Sequence, residues 1–319
     1  ASRLAAILNQ TTTEVQSWLD AGELALSNRG LPVTYIPGAG NGGAGFFFYA
    51  EPNRNNYTYE NVYWLKGGAN AYTTTDGGAP APADPPGLYW ALLEQNYDSV
   101  AVLSLIDDPE EDFWMLRALT AGSSGSDTWT TSISLDHLVK DGEIDGKLTL
   151  ALHGSSYTTH LVRAELNGSD LGELSWSGKV PADLEFDVPS TILKDANLGE
   201  GNNTLTVQAK LAAGVSASQF YINGYVLEYP RQYEAVNRVL VAGANGKSVV
   251  SARGYGAATI SVFDVTNLKA PRVVTNVAID QPDTDYRASF NTSTEGHYAI
   301  FDPTYFFGAV LVSSSKPSL

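Results

Sequence analysis

The sequence predicts a mainly β protein made of tandem β-sandwich or jelly-roll modules, with one short helix near its N-terminus. Three observations carry that expectation. Short apolar and aromatic runs recur along the chain, bounded by Gly, Asn, Asp and Pro, which is how sandwich strands read. Helical spacing of apolar residues is confined to the stretch before Gly22. The 319 residues, 43% hydrophobic and 17% charged, have a globular balance and suffice for two or three domains without disulfides or metals.

The helix is expected from Thr12 or Thr13 as cap, with Val15, Trp18 and Leu19 forming its apolar face. Residues 23–26 and 32–36 then flank Ser27-Asn28-Arg29-Gly30, a hairpin turn. Residues 45–50 and 61–65 are aromatic strands, and residues 67–87, rich in Gly, Ala, Pro and Thr, form a loop. Residues 88–94 and 99–105 read as strands, followed by an acidic turn at 107–112 and the apolar run 113–116. A Gly/Ser linker at 122–127 marks the first boundary. Beyond it, strands at 128–135, 147–152, 160–166, 173–177, 184–188, 204–209 and 220–229 follow at the roughly 8–12-residue spacing of a jelly roll. A second boundary near Pro230 precedes strands at 238–242, 248–252, 259–264, 272–279, 286–291 and 298–301. The expected organisation is therefore a β-rich domain with a short helix at 1–121, a galactose-binding-like jelly roll at 122–230, and a small β-sandwich with a linker at 231–319. No signal peptide is visible, and Ala1 reads as the product of processing or of the design of the expressed chain.

Composition excludes several functions. A net charge of -16 opposes nucleic-acid backbones and anionic membranes, so no nucleic-acid partner is expected. No apolar run reaches the ~18 residues of a membrane span. With no cysteine, the chain holds no thiol nucleophile, iron–sulfur cluster or thiolate zinc site. Cysteine-free composition also fits an exported protein that is secreted or held at a cell surface.

Candidate sites are few. Gly38, Gly40 and Gly43 fit G-x-G-x-x-G, but they open an aromatic strand rather than a helix, so they read as a hairpin. No spacing pairs a serine nucleophile with His137, His153, His160 or His297. His153 and His160 bracket a six-residue turn that would bring their rings together, without an evident third zinc ligand. Asp141, Glu143 and Asp145, followed by Gly146, resemble the first half of a calcium loop, and calcium is the one cofactor the sequence nominates. The motif is incomplete, because Leu152 stands where the bidentate acid belongs. Trp176, Tyr157 and His160 are the nominated glycan contacts, through aromatic stacking, although strand aromatics are more often core.

Five groups of residues together resemble the non-catalytic region preceding the catalytic domain of gingipain-type (caspase-like) cysteine peptidases. They are Asn28-Arg29-Gly30-Leu31-Pro32-Val33 with Phe46-Phe47-Phe48-Tyr49 and Tyr57-Thr58-Tyr59-Glu60-Asn61-Val62-Tyr63-Trp64-Leu65; Glu110-Glu111-Asp112-Phe113-Trp114; Leu152-His153-Gly154 through His160, Leu166-Asn167-Gly168 and Leu171-Gly172 to Trp176-Ser177-Gly178; Gly201-Asn202-Asn203-Thr204-Leu205 with Glu228-Tyr229-Pro230-Arg231-Gln232-Tyr233-Glu234-Ala235; and Ile260-Ser261-Val262-Phe263-Asp264-Val265-Thr266. The resemblance spans nearly the whole chain. It implies a context, namely a cysteine endopeptidase whose His/Cys catalytic domain follows residue 319, and it carries over no catalytic residue. The implied partner is that downstream catalytic domain, with this region structural or targeting, or a pro-segment. The alternative is an autonomous carbohydrate-binding jelly roll with glycans as its partners.

Overall fold

The structure, a computed structural model, describes residues 1–40, 43–50, 61–83, 87–96, 98–105, 113–140 and 144–302. The acidic turn at 107–112, Asp141 and Glu143 of the calcium motif, the phrase at 57–60 and the terminal linker all lie outside the described residues. The protein is mostly strand and divides into two compact units, Ala1–Tyr89 with Tyr233–Leu319, and Trp90–Gln232. The three consecutive segments expected from the linkers divide the chain differently: here its two ends share one unit.

The first unit opens with two helices where one was expected, α1 (Ser2–Leu8) and α2 (Thr12–Asp20). The cap of α2 is Thr11 rather than the expected Thr12 or Thr13. Its hydroxyl accepts from Glu14 N (3.2 Å) while Glu14 Oε2 accepts from Thr11 N (2.9 Å), a reciprocal capping box. Seven residues with no side-chain cap give α1 little sequence signal, and it ends at Asn9 in the left-handed region. Strands β1 (Leu24–Asn28), β2 (Leu31–Val33), β3 (Ile36–Gly40), β4 (Gly43–Phe47), β5 (Tyr63–Gly67) and β6 (Thr74–Asp76) follow. Arg29 and Gly30 both have positive φ, so β1 and β2 form the tight hairpin the sequence predicts. The glycines at 38–43 pair β3 with β4, again a hairpin. Val15, Leu19, Leu24, Leu26 and Tyr35 fill the core beneath the helices.

In the second unit, β7 (Leu88–Asn96), β8 (Val100–Ala101), β9 (Trp114–Met115) and β10 (Arg117–Thr120) precede a run of seven strands. Where one strand was expected at 99–105, only β8 and a 3-10 turn at Leu103–Leu105 form. The seven are β11 (Thr128–Ile133), β12 (Asp145–Gly154), β13 (Thr159–Leu166), β14 (Ser169–Ser177), β15 (Pro181–Pro189), β16 (Asn203–Lys210) and β17 (Gln219–Gln232). One sheet runs β10-β17-β12-β15 and the other β11-β16-β13-β14. Numbered from β10, these are the orders 1-8-3-6 and 2-7-4-5, a jelly roll. The strict inside–outside alternation of β13 and β16 puts Val162, Ala164, Leu166, Leu205 and Val207 into the core, against Leu148, Leu150, Phe220 and Ile222 of the facing sheet.

The chain then returns to the first unit with β18 (Val239–Gly243), β19 (Val249–Tyr255), β20 (Ser261–Asp264), β21 (Arg272–Thr275), β22 (Ala278–Asp280), β23 (Tyr286–Asn291) and β24 (His297–Phe301). They form sheets ordered β18-β24-β20-β21-β6 and β19-β23-β22. The single strand expected at 272–279 is split between the two sheets. Asn276, at φ 51°, turns the backbone between them, a conformation Asn tolerates better than most residues. The expected loop at 67–87 contains β6, which pairs in parallel with β21.

Candidate functional site

The residues that sequence reasoning gathered at one end of the jelly roll do lie close together, but they face different ways. His160 is the second residue of β13, pairs across the strands with Trp176 of β14, and is 0% exposed. Its Nε2 lies 3.1 Å from Ser156 O and 3.2 Å from Gly178 O. Carbonyls only accept, so Nε2 carries the proton. Nδ1 is then the acceptor for the Ser218 hydroxyl at 2.8 Å. Burial holds this imidazole below the ordinary histidine range, partly opposed by the two carbonyls and reinforced by nearby His153.

The serine–histidine contact is not a catalytic pair. Ser218 is only 2% exposed and His160 is closed on its other side by Trp176 (4.8 Å between ring centroids) and Phe220 (6.0 Å). No substrate bond reaches either group. His153 is buried as well, with Nδ1 2.8 Å from Gly154 O. Among the described residues no three His, Cys, Asp or Glu side chains gather as a metal would need.

Of the three nominated glycan contacts, only Tyr157 faces solvent, at 89% exposure. Trp176 packs edge-on against Phe220 at 5.1 Å, and its buried Nε1 has no hydrogen-bond partner. His160 offers a ligand no surface at all. Trp129 and Tyr225 likewise turn into the core, 6.1 Å apart. Alternation on the strands decided this, since Trp176 and His160 occupy inward positions. Of the calcium candidates, Asp145 opens β12 as an exposed residue paired with Pro189, while Asp141 and Glu143 lie outside the described residues. Leu152, at the position of the missing twelfth ligand, is core.

A second feature carried no sequence signal. Leu4, Leu8, Trp18, Leu24 and Leu65 line a cleft of about 300 Å³ beside α1 and α2, with Glu23 and Lys66 also on its walls. It brings together three segments too far apart in sequence for any spacing rule to link.

No known family profile and no curated protein matches the chain. Its fold matches solved structures. The dimeric latent PorU from Porphyromonas gingivalis matches over 90% of this chain with a TM-score of 0.64 and 10% identity. The chain spans about 30% of the length of that protein. That likeness shows the fold. Two carbohydrate-binding modules match more loosely: one of family CBM36, in complex with calcium and xylotriose, over 34% of the chain (TM-score 0.23, 10% identity, 77% of the module), and the xylan-binding module CBM15 over 44% (TM-score 0.24, 12% identity, 98% of the module). Neither overlap is close enough to carry an argument about ligands. No helix among the described residues is long and apolar enough to cross a membrane.

Proposed function

We propose that this chain is the non-catalytic region of a secreted gingipain-type cysteine peptidase, acting as a structural and docking element for a catalytic domain encoded downstream. The observation that carries the reading is the fold shared with latent PorU over 90% of the chain. It is supported by the resemblance of the sequence phrases, which run in order from Asn28 to Thr266. The interior supports it too. The one serine–histidine contact described above is sealed, and of the nominated aromatics Trp176 packs against the core while Tyr157 faces solvent, which favours a structural role over sugar stacking at that end of the jelly roll. In this reading the region docks on the catalytic domain and holds it in a low-activity state, and calcium on the turn around Asp145 is an accessory to the docking rather than to chemistry.

The test is to mix this chain with the separately produced catalytic portion of its parent. Co-purification together with a slower peptidase rate is the expected result. Co-purification without a change in rate would leave docking and remove the pro-segment role. Separate elution with an unchanged rate would overturn the proposal, and the autonomous glycan module would then be next to test by calorimetry.

A further inference from the structure

His160 ties together three separate loops. Its Nε2–H points at Ser156 O in the β12–β13 loop and Gly178 O in the β14–β15 loop, while Nδ1 takes the hydroxyl hydrogen of Ser218 at the end of the β16–β17 loop. The joint is tight. A Cβ placed on Gly154 would sit 2.6 Å from His160 Nε2 and 2.1 Å from Gly178 O. Beyond these bonds the loops hold one another by backbone pairs: Gly154 N to Val180 O (3.0 Å), Ser155 N to Gln219 O (3.0 Å) and Gly178 N to Thr158 O (2.9 Å).

We propose that His160 is an acid-sensitive staple, which clamps the three loops at this end of the jelly roll when neutral and releases them when protonated. The neutral ring with its proton on Nε2 accepts from Ser218 and donates to the carbonyls with no buried charge. A second proton makes Nδ1 a donor, so the Ser218 hydroxyl must turn round to accept from it, and it places a full charge in a fully buried site walled by Trp176 and Phe220, where only neutral oxygens meet it.

The two carbonyls offset that charge only in part, and no carboxylate among the groups packed against the ring adds to them. From β12 the titratable group nearest the ring is His153, whose own charge opposes it. From β14 the packed residue is Trp176 and from β17 it is Phe220, neither of them titratable. From the β14–β15 loop the charged group is Lys179, whose Nζ is bonded to Ser104 O. Ser218, from the β16–β17 loop, stays neutral. The carboxylates of β14, Asp170 and Glu173, point outward and bond Arg163 and Lys210 instead.

The direction of the effect follows. The closed state holds the second proton less tightly than the open or unfolded one, because burial lowers the proton affinity of His160. The open state therefore takes up more protons below the ordinary histidine value of about 6.5. Clamping is complete above that pH and is lost as the pH falls from there through the lower value of the closed state. The loops that let go are those carrying Tyr157 and Val180, so the exposed surface at this end changes with acidity.

The experiment uses the whole chain. Hydrogen exchange is read at the amides of Gly154, Ser155 and Gly178, relative to the β13–β16 ladder, between about pH 7.5 and about pH 5. Protection at these three amides is expected to fall about tenfold relative to the ladder for each unit by which the closed-state pKa lies under the open one. His160→Gln, which keeps a side-chain donor and does not titrate, is expected to abolish the pH dependence. If that variant does not fold, ring-nitrogen NMR of the unaltered protein decides. The Nε2–H tautomer at neutral pH, with protonation and loop opening in the same acidic range, supports the staple. A ring that protonates while the three amides stay as protected as the ladder overturns it, as does the opposite tautomer.

Discussion

Asn167 donates through Nδ2 to Asn203 Oδ1 at 2.8 Å, joining the tip of the β13–β14 hairpin to the first residue of β16. Both amides are used fully. Asn167 also donates to Ile192 O (2.8 Å) and accepts from Thr204 N (2.9 Å), while Asn203 accepts from Lys194 N (2.8 Å) and donates to Lys194 O (2.9 Å). Asn203 is completely buried. Removing its side chain strands at least one backbone donor and one backbone acceptor of Lys194, each costing about 1–3 kcal/mol when unsatisfied. Asn203→Ala is therefore expected to lose about 3 kcal/mol in chemical denaturation with an unchanged slope. A loss under about 0.5 kcal/mol, the range of an ordinary surface change, would mean that the network does not bear on stability.

Gly154 tests how closely the two sheets approach at the other end. Its Cβ would meet Gly178 O, a backbone atom that cannot rotate away, at 2.1 Å. Gly154→Ala is expected to destabilise by about 3 kcal/mol or more, because the clash is relieved only by moving a strand end. Gly168 gives the control for steric room: nothing lies within 4 Å of its Cβ position, but φ is 81°. Gly168→Ala is expected to cost only the roughly 1 kcal/mol of a strained backbone. Equal losses in the two variants would show that close approach is not what selects glycine at 154.

The N-terminal cap separates sequence expectation from structure at a single residue. Thr11→Ala removes the hydroxyl half of the capping box, leaving the backbone bond from Thr11 N to Glu14 Oε2, and is expected to cost about 1 kcal/mol. Thr12→Ala and Thr13→Ala, which alter the residues the sequence favoured, are expected to stay within about 0.5 kcal/mol of the parent. Thermal unfolding of the three variants at one pH checks the order. A Thr12 variant that loses more than the Thr11 variant would move the cap back to the position read from sequence.

Period and turn chemistry made the jelly roll legible, because strands such as β13, β15 and β16 alternate cleanly and turn residues such as Asn167-Gly168 separate neighbouring strands. The same reading failed where position depends on partners far away in sequence. Nothing local announces β6, since Thr74 to Asp76 becomes a strand only by lying along Val273 to Thr275. At Asn276 the period continued while the backbone turned. The nominated glycan residues do not share one face, for a related reason. Trp176, His160 and Tyr157 fall on neighbouring strands and a loop, but sequence neighbourhood does not distinguish the inward position of His160 from the solvent position of Tyr157 until the pleat is fixed.

The pairing of β6 with β21 has a consequence for how the chain can be cut. Residues 73–83 run along the later sandwich: Val273 N bonds Thr73 O (2.8 Å), Gly77 N bonds Thr275 O (2.7 Å), Asn291 N bonds Gly77 O (2.8 Å) and Ala83 N bonds Ser251 Oγ (2.8 Å). Lys247 Nζ then bonds Leu88 O (2.8 Å), and the rings of Tyr89 and Tyr233 lie 5.0 Å apart. The chain thus leaves the first unit and re-enters it at adjacent points, as it does around an inserted domain. Replacing residues 90–232 by a short Gly/Ser linker is expected to leave a cooperatively folding protein, and residues 90–232 alone are expected to fold on their own core. Residues 233–319 alone, lacking β6 and the bonds at Ser251 and Lys247, are expected to show no cooperative transition. Thermal melts followed by circular dichroism distinguish the three. A sharp transition in the isolated 233–319 fragment would mean that the returning N-terminal strand only decorates a domain already complete. Its absence there and presence in the linker-joined protein would make the two ends of the chain one folding unit.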